Sequence, residues 1–283
     1  MAVGYARVKR QLEVHGLRTF ARIEYMKDGS PIIDLITGRE PHVVGTKVCI
    51  KAGMRSMPWE SVKAERPMIK LCEAASPVLR LLAQPHELFM KVTGYSREWM
   101  YRPDLLLTID ASIVHQVQAG TPFSEAIAQW KPVDRIHDVR LVVEVKDDED
   151  PRIGDPNYER KLELAKQVYQ FLNWHFITVV RSEDIDNERI AYSVDQLCLD
   201  HDVAISPGDI DRVRAVFERN PAPMLIELML ELGGGAASLG KCAALHVRRI
   251  ISIDLRHQLR PESPIRKMPD DMAIFELPGA HPW

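Results

Sequence analysis

The sequence predicts an α/β fold in which a mixed sheet is flanked by helices and followed by a helical C-terminal region. Three short runs rich in branched apolar residues, Leu105–Ile109, Leu141–Val145 and Phe176–Val180, are typical of buried strands. A helical stretch with apolar residues on one face, Tyr158–Leu172, lies between the last two. This succession of strands and helices indicates an α/β layer rather than a helical bundle or a β-sandwich.

The N-terminal region, 1–58, is locally basic and leads into a central domain that we predict at 59–185. Ten Lys or Arg stand against six Asp or Glu in the first sixty residues. The apolar segments Ile32–Ile36 and His42–Ile50 predict strands separated by turn residues, and Trp59–Pro77 has a helical pattern.

Helical segments follow one another closely in 186–283, which we predict to be a winged-helix-like C-terminal domain. Ser206 and Pro207 are typical of a helix start, and Gly233–Gly235 of a helix end. Helices followed by a small hairpin are typical of winged-helix modules. With seven Lys or Arg and two acidic residues, Lys241–Lys267 is either a DNA or partner contact or a solvated face. The helices are predicted at Glu188–Leu199, Asp209–Glu218, Pro223–Leu232 and Leu239–Val247, and the strands at Ile250–Leu255 and Pro264–Lys267.

The composition indicates an ordinary globular protein of a reducing compartment. With 283 residues, 46% of them hydrophobic and 27% charged, the chain is long enough for two domains and too apolar for disorder. No apolar run approaches the ~20 residues of a membrane span, and no signal peptide is evident, so we expect no membrane association. The four cysteines are far apart and never form a C-x-x-C pair, which favours the cytoplasm over a disulfide framework or a zinc knuckle.

The most informative residues are two carboxylates and a lysine at strand ends. Asp104 stands immediately before the strand Leu105–Ile109, and Glu144 and Lys146 share one face of the second strand because side chains alternate along a strand. Such charges at the end of an apolar strand are costly unless they are exposed or paired. Carboxylates are the ligands that Mg²⁺ prefers, and a lysine can orient or activate water, so the pattern is that of PD-(D/E)-x-K nucleases.

A further carboxylate, Glu65, is predicted to join them from the preceding helix. It shares a helix face with apolar positions Val62, Ile69 and Cys72, so it should point inward and needs a partner. The alternative to a metal site is a salt bridge. Pro67 should kink or restart this helix. The opposite side of the helix is predicted to carry Lys63, Arg66, Lys70 and Glu73.

Three histidines, an acidic run and a glycine run are weaker candidates for the functional site. His86, His137 and His175 lack paired metal spacing and are more typical of packed or surface histidines. The acidic run Asp147–Asp150 is typical of a solvated loop rather than of extra metal ligands. Gly233–Gly235 has no Lys-Ser/Thr after it and makes no P-loop.

In order along the chain, several motifs resemble those of TnsA, the endonuclease subunit of bacterial cut-and-paste transposons with heteromeric transposases. The resemblance covers about residues 46–185, and the C-terminal region is similar in layout only. The matching motifs are Trp59-Glu60-Ser61, Glu65, Gln84-Pro85, Arg102-Pro103-Asp104, Glu144-Val145-Lys146, Lys161-Leu162-Glu163-Leu164 and Trp174-His175-Phe176 through Ser182-Glu183-Asp184-Ile185.

The resemblance implies a restriction-endonuclease-like domain that cuts the 5′ strand at each transposon end, alongside a DDE transposase subunit and an AAA+ ATPase regulator. The family's catalytic acids correspond to Glu65 and Asp104, and its lysine to Lys146. Some members carry Gln in place of Glu144. The main departure from the family pattern is the stretch 110–140, which looks longer than the family needs. It contains a short predicted helix, Phe123–Trp130, which we expect to pack on its own domain.

We therefore expect a Mg²⁺-dependent DNA endonuclease, with Mn²⁺ as a substitute metal, in which Lys146 positions the water. The metal, one ion or two, is expected at Glu65, Asp104, Glu144 and Val145. Two alternatives stay open: a stand-alone restriction or repair nuclease, and a non-catalytic DNA-binding scaffold of a transposition complex. The net charge of −3 fits a subunit of modest DNA affinity, with its basic residues concentrated before Glu60 and after Lys241.

Overall fold

A computed structural model describes residues 7–14, 19–33, 43–92, 96–133, 137–270 and 273–274. The strands are β1 (Arg7–Val14), β2 (Thr19–Met26), β3 (Gly45–Cys49), β4 (Arg55–Trp59), β5 (Val78–Ala83), β6 (Glu87–Val92), β7 (Trp99–Tyr101), β8 (Leu105–Asp110), β9 (Asp138–Lys146), β10 (His175–Val180), β11 (Ile251–Ile253) and β12 (Ile265–Lys267). The helices are α1 (Glu65–Ala74), α2 (Ala111–Gln118), α3 (Phe123–Gln129), α4 (Pro156–Phe171), α5 (Glu188–Leu199), α6 (Pro207–Arg219), α7 (Leu225–Glu231) and α8 (Gly235–Val247). Short 3-10 turns span Ile50–Ala52 and Leu255–His257, and a π-helical turn spans Arg181–Ile185.

The central sheet contains the three strands expected from the apolar runs. Its order is β10-β9-β8-β5, with β9 and β10 parallel and the other pairs antiparallel. The parallel pair requires a crossover connection, and α4 provides it. The predicted mixed α/β fold is therefore confirmed at this level, while the restriction-like assignment stays a prediction.

A second, antiparallel sheet joins the N-terminal region to the central part of the chain. Its order is β1-β2-β6-β7. Our sequence analysis did not predict β1 and β2, although Ala21, Ile23 and Tyr25 alternate with Arg22 and Glu24 along β2. Of the strands that it did predict, His42–Ile50 contains β3, whereas part of Ile32–Ile36 and His42 itself lie outside the described residues.

The central sheet is buried on both faces, which explains its nearly continuous apolar runs. On one face, Leu107 and Val143 pack in a core shared with α1, α3 and the C-terminal helices. On the other face, Leu106 and Val142 pack against α4 and the second sheet. Because side chains alternate, Glu144 and Lys146 lie on the same face of β9 as Val142. They therefore lie at the end of a buried row.

The C-terminal region has the predicted helices followed by a two-stranded antiparallel sheet, β11-β12. Ser206 caps α6 as expected, accepting a hydrogen bond from the N–H of Asp209 at 3.2 Å. Gly233 follows the end of α7, whereas Gly235 already begins α8, earlier than predicted. The winged-helix assignment and the boundaries at 58 and 185 stay predictions. Among the described residues, no helix is both long and apolar enough to cross a membrane.

His246 connects the C-terminal region to the end of α1. Its Nε2 lies 2.7 Å from the carbonyl oxygen of Ala74, and its Nδ1 accepts the N–H of Ile253 at 2.9 Å. One nitrogen must donate and the other accept, so the ring is neutral. Burial lowers the pKa of His246 to about 3, well below its ordinary value of 6.5. This side chain therefore opposes protonation in the folded state.

We expect His246 to make the protein less stable as the pH falls from about 6.5 towards 3. In that range the unfolded chain binds a proton at this position that the folded chain does not. The free energy of unfolding therefore decreases as the pH is lowered. Urea denaturation at several pH values should show a shallower loss in His246→Gln than in wild type. His115→Gln, which alters an exposed histidine, should keep the wild-type slope. Parallel slopes for wild type and His246→Gln would contradict this account.

Candidate active site

Strand pairing brings Asp104 and Glu144 together. Leu105 pairs with Val143, so Asp104, one residue before β8, lies opposite Glu144 in the antiparallel register. Its Oδ2 accepts the N–H of Val145 at 2.7 Å, and its carbonyl oxygen accepts the N–H of Gln84 at 2.8 Å. Two of the predicted site residues are thus fixed by the sheet itself.

Glu65, which is the first residue of α1, also lies at this site. Its Oε2 accepts the N–H of Glu60 at 2.8 Å. The predicted inward face is confirmed for Ile69 and Cys72 but wrong for Val62, which precedes the helix and is exposed. Pro67 does not kink the helix, because it lies in the first turn, where backbone N–H groups have no helical partner.

Glu73 contradicts the prediction that it faces solvent. It is fully buried, and its carboxylate accepts the N–H groups of Ile50 and Lys51 at 2.6 and 3.3 Å. The 3-10 turn after β3 presents these two donors to the helix, so a tertiary contact, not helical periodicity, decides the position of this acid.

Glu65, Asp104 and Glu144 form one electrostatic unit. Burial raises the pKa of Glu65 to about 7, with further contributions from the charges of Glu60 and Glu144. Burial also raises the pKa of Asp104 well above its ordinary value, and the charges of Glu144 and Glu65 act in the same direction. Three carboxylates this close repel one another, and a cation would relieve that repulsion.

Tyrosine hydroxyls that the sequence analysis missed hold Glu144. Tyr101 donates to Oε2 at 2.7 Å, and Tyr158 donates to Oε1. Burial, followed by the charge of Glu144, raises the pKa of both phenols, so both remain donors. Lys146 lies 3.1 Å from the same Oε1 and donates to the Tyr158 hydroxyl. The only available sequence signal was the aromatic residue in the first turn of α4.

The acidic run after β9 is only in part the solvated loop that the sequence indicates, because Glu149 is exposed whereas its three aspartates bind cations. The Asp150 carboxylate is 7% exposed and lies 3.3 Å from Lys146 and 2.7 Å from Arg152. Asp147 and Asp148 both bind the guanidinium of Arg181. These acids are occupied by cations, so they orient Lys146 and the loop; in particular, Asp150 gives Lys146 a second carboxylate neighbour.

A small pocket of about 190 Å³ opens onto Asp104 and Glu144, whereas Glu65 and Lys146 are not among its lining residues. Acidic and basic side chains line it together, an arrangement suited to an anionic substrate beside a bound cation. A larger pocket of about 720 Å³ lies away from the site, between α6 and Arg248. The lining residues of the small pocket are Glu60, Gln84, Met100, Tyr101, Arg102, Asp104, Glu144, Arg152, Tyr158 and Lys161.

The remaining sequence candidates lie outside this pocket lining. His86 is buried, 2.7 Å from the Tyr169 hydroxyl, and stacks edge-on against Trp174, as expected of a packed histidine. His137 is exposed and His175 is partly buried. The stretch 110–140 contains α2 and α3, and Phe123 of α3 packs in the main core, which agrees with the expectation that this stretch packs against the rest of the chain; its assignment to one domain stays a prediction.

The donor chemistry of the site fits a hard divalent cation. Glu65, Asp104 and Glu144 supply carboxylate oxygens, and Val145 could contribute only its main-chain carbonyl oxygen because its side chain has no donor atom. Within the part of the chain that the structure describes, no three His, Cys, Asp or Glu side chains have the spacing of a preformed metal site. Any ion would therefore draw these carboxylates closer together.

Comparison with known proteins adds no identification. No protein-family model matches the chain, and no curated protein is significantly similar to it. The function must therefore be inferred from the residues and geometry of the site itself.

Proposed function

We propose that this protein is a Mg²⁺-dependent DNA endonuclease, with Mn²⁺ as a substitute metal, that hydrolyses phosphodiester bonds. One observation carries the proposal: Glu65, Asp104 and Glu144 act on one another electrostatically at one end of a mixed sheet, with Lys146 3.1 Å from Glu144. A helix, a strand and the residue before another strand bring three acids and a lysine together, and burial, followed by the charges of neighbouring acids, raises the pKa of Glu65 and Asp104; such perturbed groups are typical of functional sites.

The residues divide the chemistry between charge and positioning. Glu65, Asp104 and Glu144, with the carbonyl of Val145, would hold the cation, which when bound stabilises the negative charge that develops on the phosphate. Lys146 orients the attacking water, held in place by Glu144 and Asp150. Water adds to phosphorus and the 3′ oxygen leaves with a proton, so the products carry a 5′-phosphate and a 3′-hydroxyl.

The resemblance to TnsA supports a more specific role as a transposase subunit in the cytoplasm. In that role the protein cuts the 5′ strand at transposon ends, together with a DDE transposase subunit and an AAA+ ATPase regulator. The net charge of −3 is consistent with dependence on such partners, since the protein lacks the overall basicity that confers tight DNA binding alone.

Strand-specific nicking tests the proposal. In a reaction with the proposed DDE transposase subunit and AAA+ ATPase, wild type should nick the 5′ strand in Mg²⁺ and not in EDTA, and Asp104→Ala should not nick while still assembling. Asp104→Ala also removes the acceptor for the Val145 N–H, so Asp104→Asn, whose amide oxygen can still accept it, should give the same result. Asp211→Ala, at an exposed position of α6, should retain activity.

The two alternatives predict different outcomes. A stand-alone nuclease would cut DNA without partners, whereas a transposase subunit should be silent alone. A scaffold would not cut DNA with or without partners. Its wild-type and Asp104→Asn forms would bind Mg²⁺ with the same weak affinity. Full activity of Asp104→Asn at transposon ends would refute the site assignment.

A further inference from the structure

Three cations surround one aromatic ring at the edge of the small pocket. The Lys146 ammonium lies 3.8 Å from the centroid of the Tyr158 ring, and Arg152 and Lys161 each lie 4.9 Å from it. Tyr158 also donates its hydroxyl hydrogen to Glu144. The Tyr158 side chain thus contacts Glu144 through its hydroxyl and the three cations through its ring.

Two of these cations form ion pairs with carboxylates, whereas the third, Lys161, feels the charges of Glu144 and Asp155 but is in ion-pair contact with no described carboxylate. Lys146 is paired with Glu144 and Asp150, and Arg152 with Asp150. Lys161 makes no ion pair with any carboxylate that the structure describes, although it lines the pocket and is partly buried. A partly desolvated cation beside two others is unfavourable unless an anion joins it.

The position of Lys161 favours a phosphate as that anion. It lies on α4 one turn after Tyr158, so its side chain is directed over the same part of the pocket. The carboxylates repel a phosphodiester that approaches without cations, and the cations beside Tyr158 offset this repulsion at one side. Arg152 can share the anion because its side chain is 53% exposed despite its contact with Asp150.

We propose that Lys161, assisted by Arg152, forms a phosphate-binding site that holds the DNA backbone next to the carboxylates. This inference rests on the proposed function, since it assigns the phosphodiester of a nucleic acid as the ligand. Lys161 is a binding residue here, separate from the metal ligands and from Lys146. It fixes the strand so that one phosphate faces the carboxylate end of the sheet.

Binding of duplex DNA without cleavage tests this site. Fluorescence anisotropy of the full chain with a fluorescein-labelled duplex, in EDTA and across a series of low salt concentrations, measures affinity and its salt dependence. Lys161→Ala should weaken binding by about tenfold, the effect of losing one charged hydrogen bond. It should also reduce the slope of log K against log salt concentration by about 0.9, as expected for one lost phosphate contact.

Lys166 provides a matched control because it is an exposed lysine on the same helix. Lys166→Ala makes the same charge change and should leave affinity within about twofold, since surface charges contribute little individually. Lys161→Arg keeps the charge and should retain most of the affinity. Circular dichroism melting should show that all variants fold.

The outcomes separate the two proposals. Equal weakening by Lys161→Ala and Lys166→Ala, or no weakening by either, overturns the phosphate site while leaving the nuclease proposal intact. Failure of wild type to bind duplex DNA at any salt concentration overturns the phosphate site, whereas the nuclease proposal is decided separately by nicking in the assembled complex. Selective weakening by Lys161→Ala with a reduced salt slope supports the site.

Discussion

Replacement of Lys146 by Met is expected to reduce DNA cleavage by about 10²–10⁴-fold, the usual contribution of one positioned acid–base group. The same change should increase the affinity for Mg²⁺. The reason is electrostatic: the ammonium lies 3.1 Å from Glu144 and 3.3 Å from Asp150, so its removal leaves the carboxylates more negative. A loss of activity joined to tighter metal binding is not what general damage to the site would produce.

Lys146→Arg should separate the charge of this residue from its chemistry. Arginine keeps the positive charge, so Mg²⁺ affinity should stay near that of wild type, but its guanidinium has a different shape and does not release a proton. We therefore expect Lys146→Arg to be inactive as well. Isothermal titration with Mg²⁺ and single-turnover nicking in the assembled complex measure the two properties.

The control for these variants is Lys166→Met on the exposed side of α4, which should change neither property. Unchanged cleavage by Lys146→Met would show that another group positions the water. Weaker metal binding by Lys146→Met would contradict the electrostatic argument.

The largest effect on stability is expected from Glu73→Ala, which should lower the free energy of unfolding by about 3–5 kcal/mol, as does breaking a buried charged network. Glu73 is fully buried and accepts the N–H groups of Ile50 and Lys51. Its removal leaves both donors without that acceptor and deprives the buried Lys51 of a favourable charge, since Glu73 raises the pKa of Lys51 against the lowering effect of burial.

Lys51 and Glu73 should also be coupled to each other. The Lys51 ammonium donates to the carbonyl oxygens of Cys72 and Ala75 at 3.1 and 2.5 Å, at the end of the helix that carries Glu65 at its start. Lys51 and Glu73 together therefore hold α1 against the 3-10 turn that follows β3. A combined Lys51→Met and Glu73→Leu change should cost less than the sum of the single changes, because the double change also removes the buried Lys51 charge that Glu73 stabilises.

Urea denaturation of the single and double variants measures this coupling. Glu218→Ala removes an exposed acid from α6 and should shift the free energy of unfolding by no more than about 0.5 kcal/mol. Strict additivity of the two core changes, or a Glu73→Ala effect as small as that of Glu218→Ala, would disprove the proposed anchor.

The strand end that carries Asp104, Glu144 and Lys146 could be predicted because it depends on local rules. Alternation along β9 puts Glu144 and Lys146 on one face, and the apolar runs identify the paired strands. Asp104 precedes the neighbouring strand directly. Strand periodicity and the PD-(D/E)-x-K pattern identified these three residues, and the register of β8 and β9 places Asp104 opposite Glu144.

The surroundings of these residues could not be predicted in the same way. Tyr101 and Tyr158 reach Glu144 from another strand and from a helix, and Arg152 pairs with Asp150, but no spacing in the sequence relates these residues. Asp150 looked like part of a solvated run but is paired with Lys146. Such contacts depend on how distant segments pack, which a periodic pattern does not encode.

By itself the sequence determined the mixed α/β character, the principal strands and helices, and the acids and lysine that the proposed chemistry requires. Only the tertiary structure decided that Glu73 is buried, that two tyrosines hold Glu144, and that Lys161 lies unpaired by any described carboxylate beside Tyr158. The physical reason is range. Periodicity and capping act over a few residues, whereas the burial and pairing of a charge depend on every segment that packs around it.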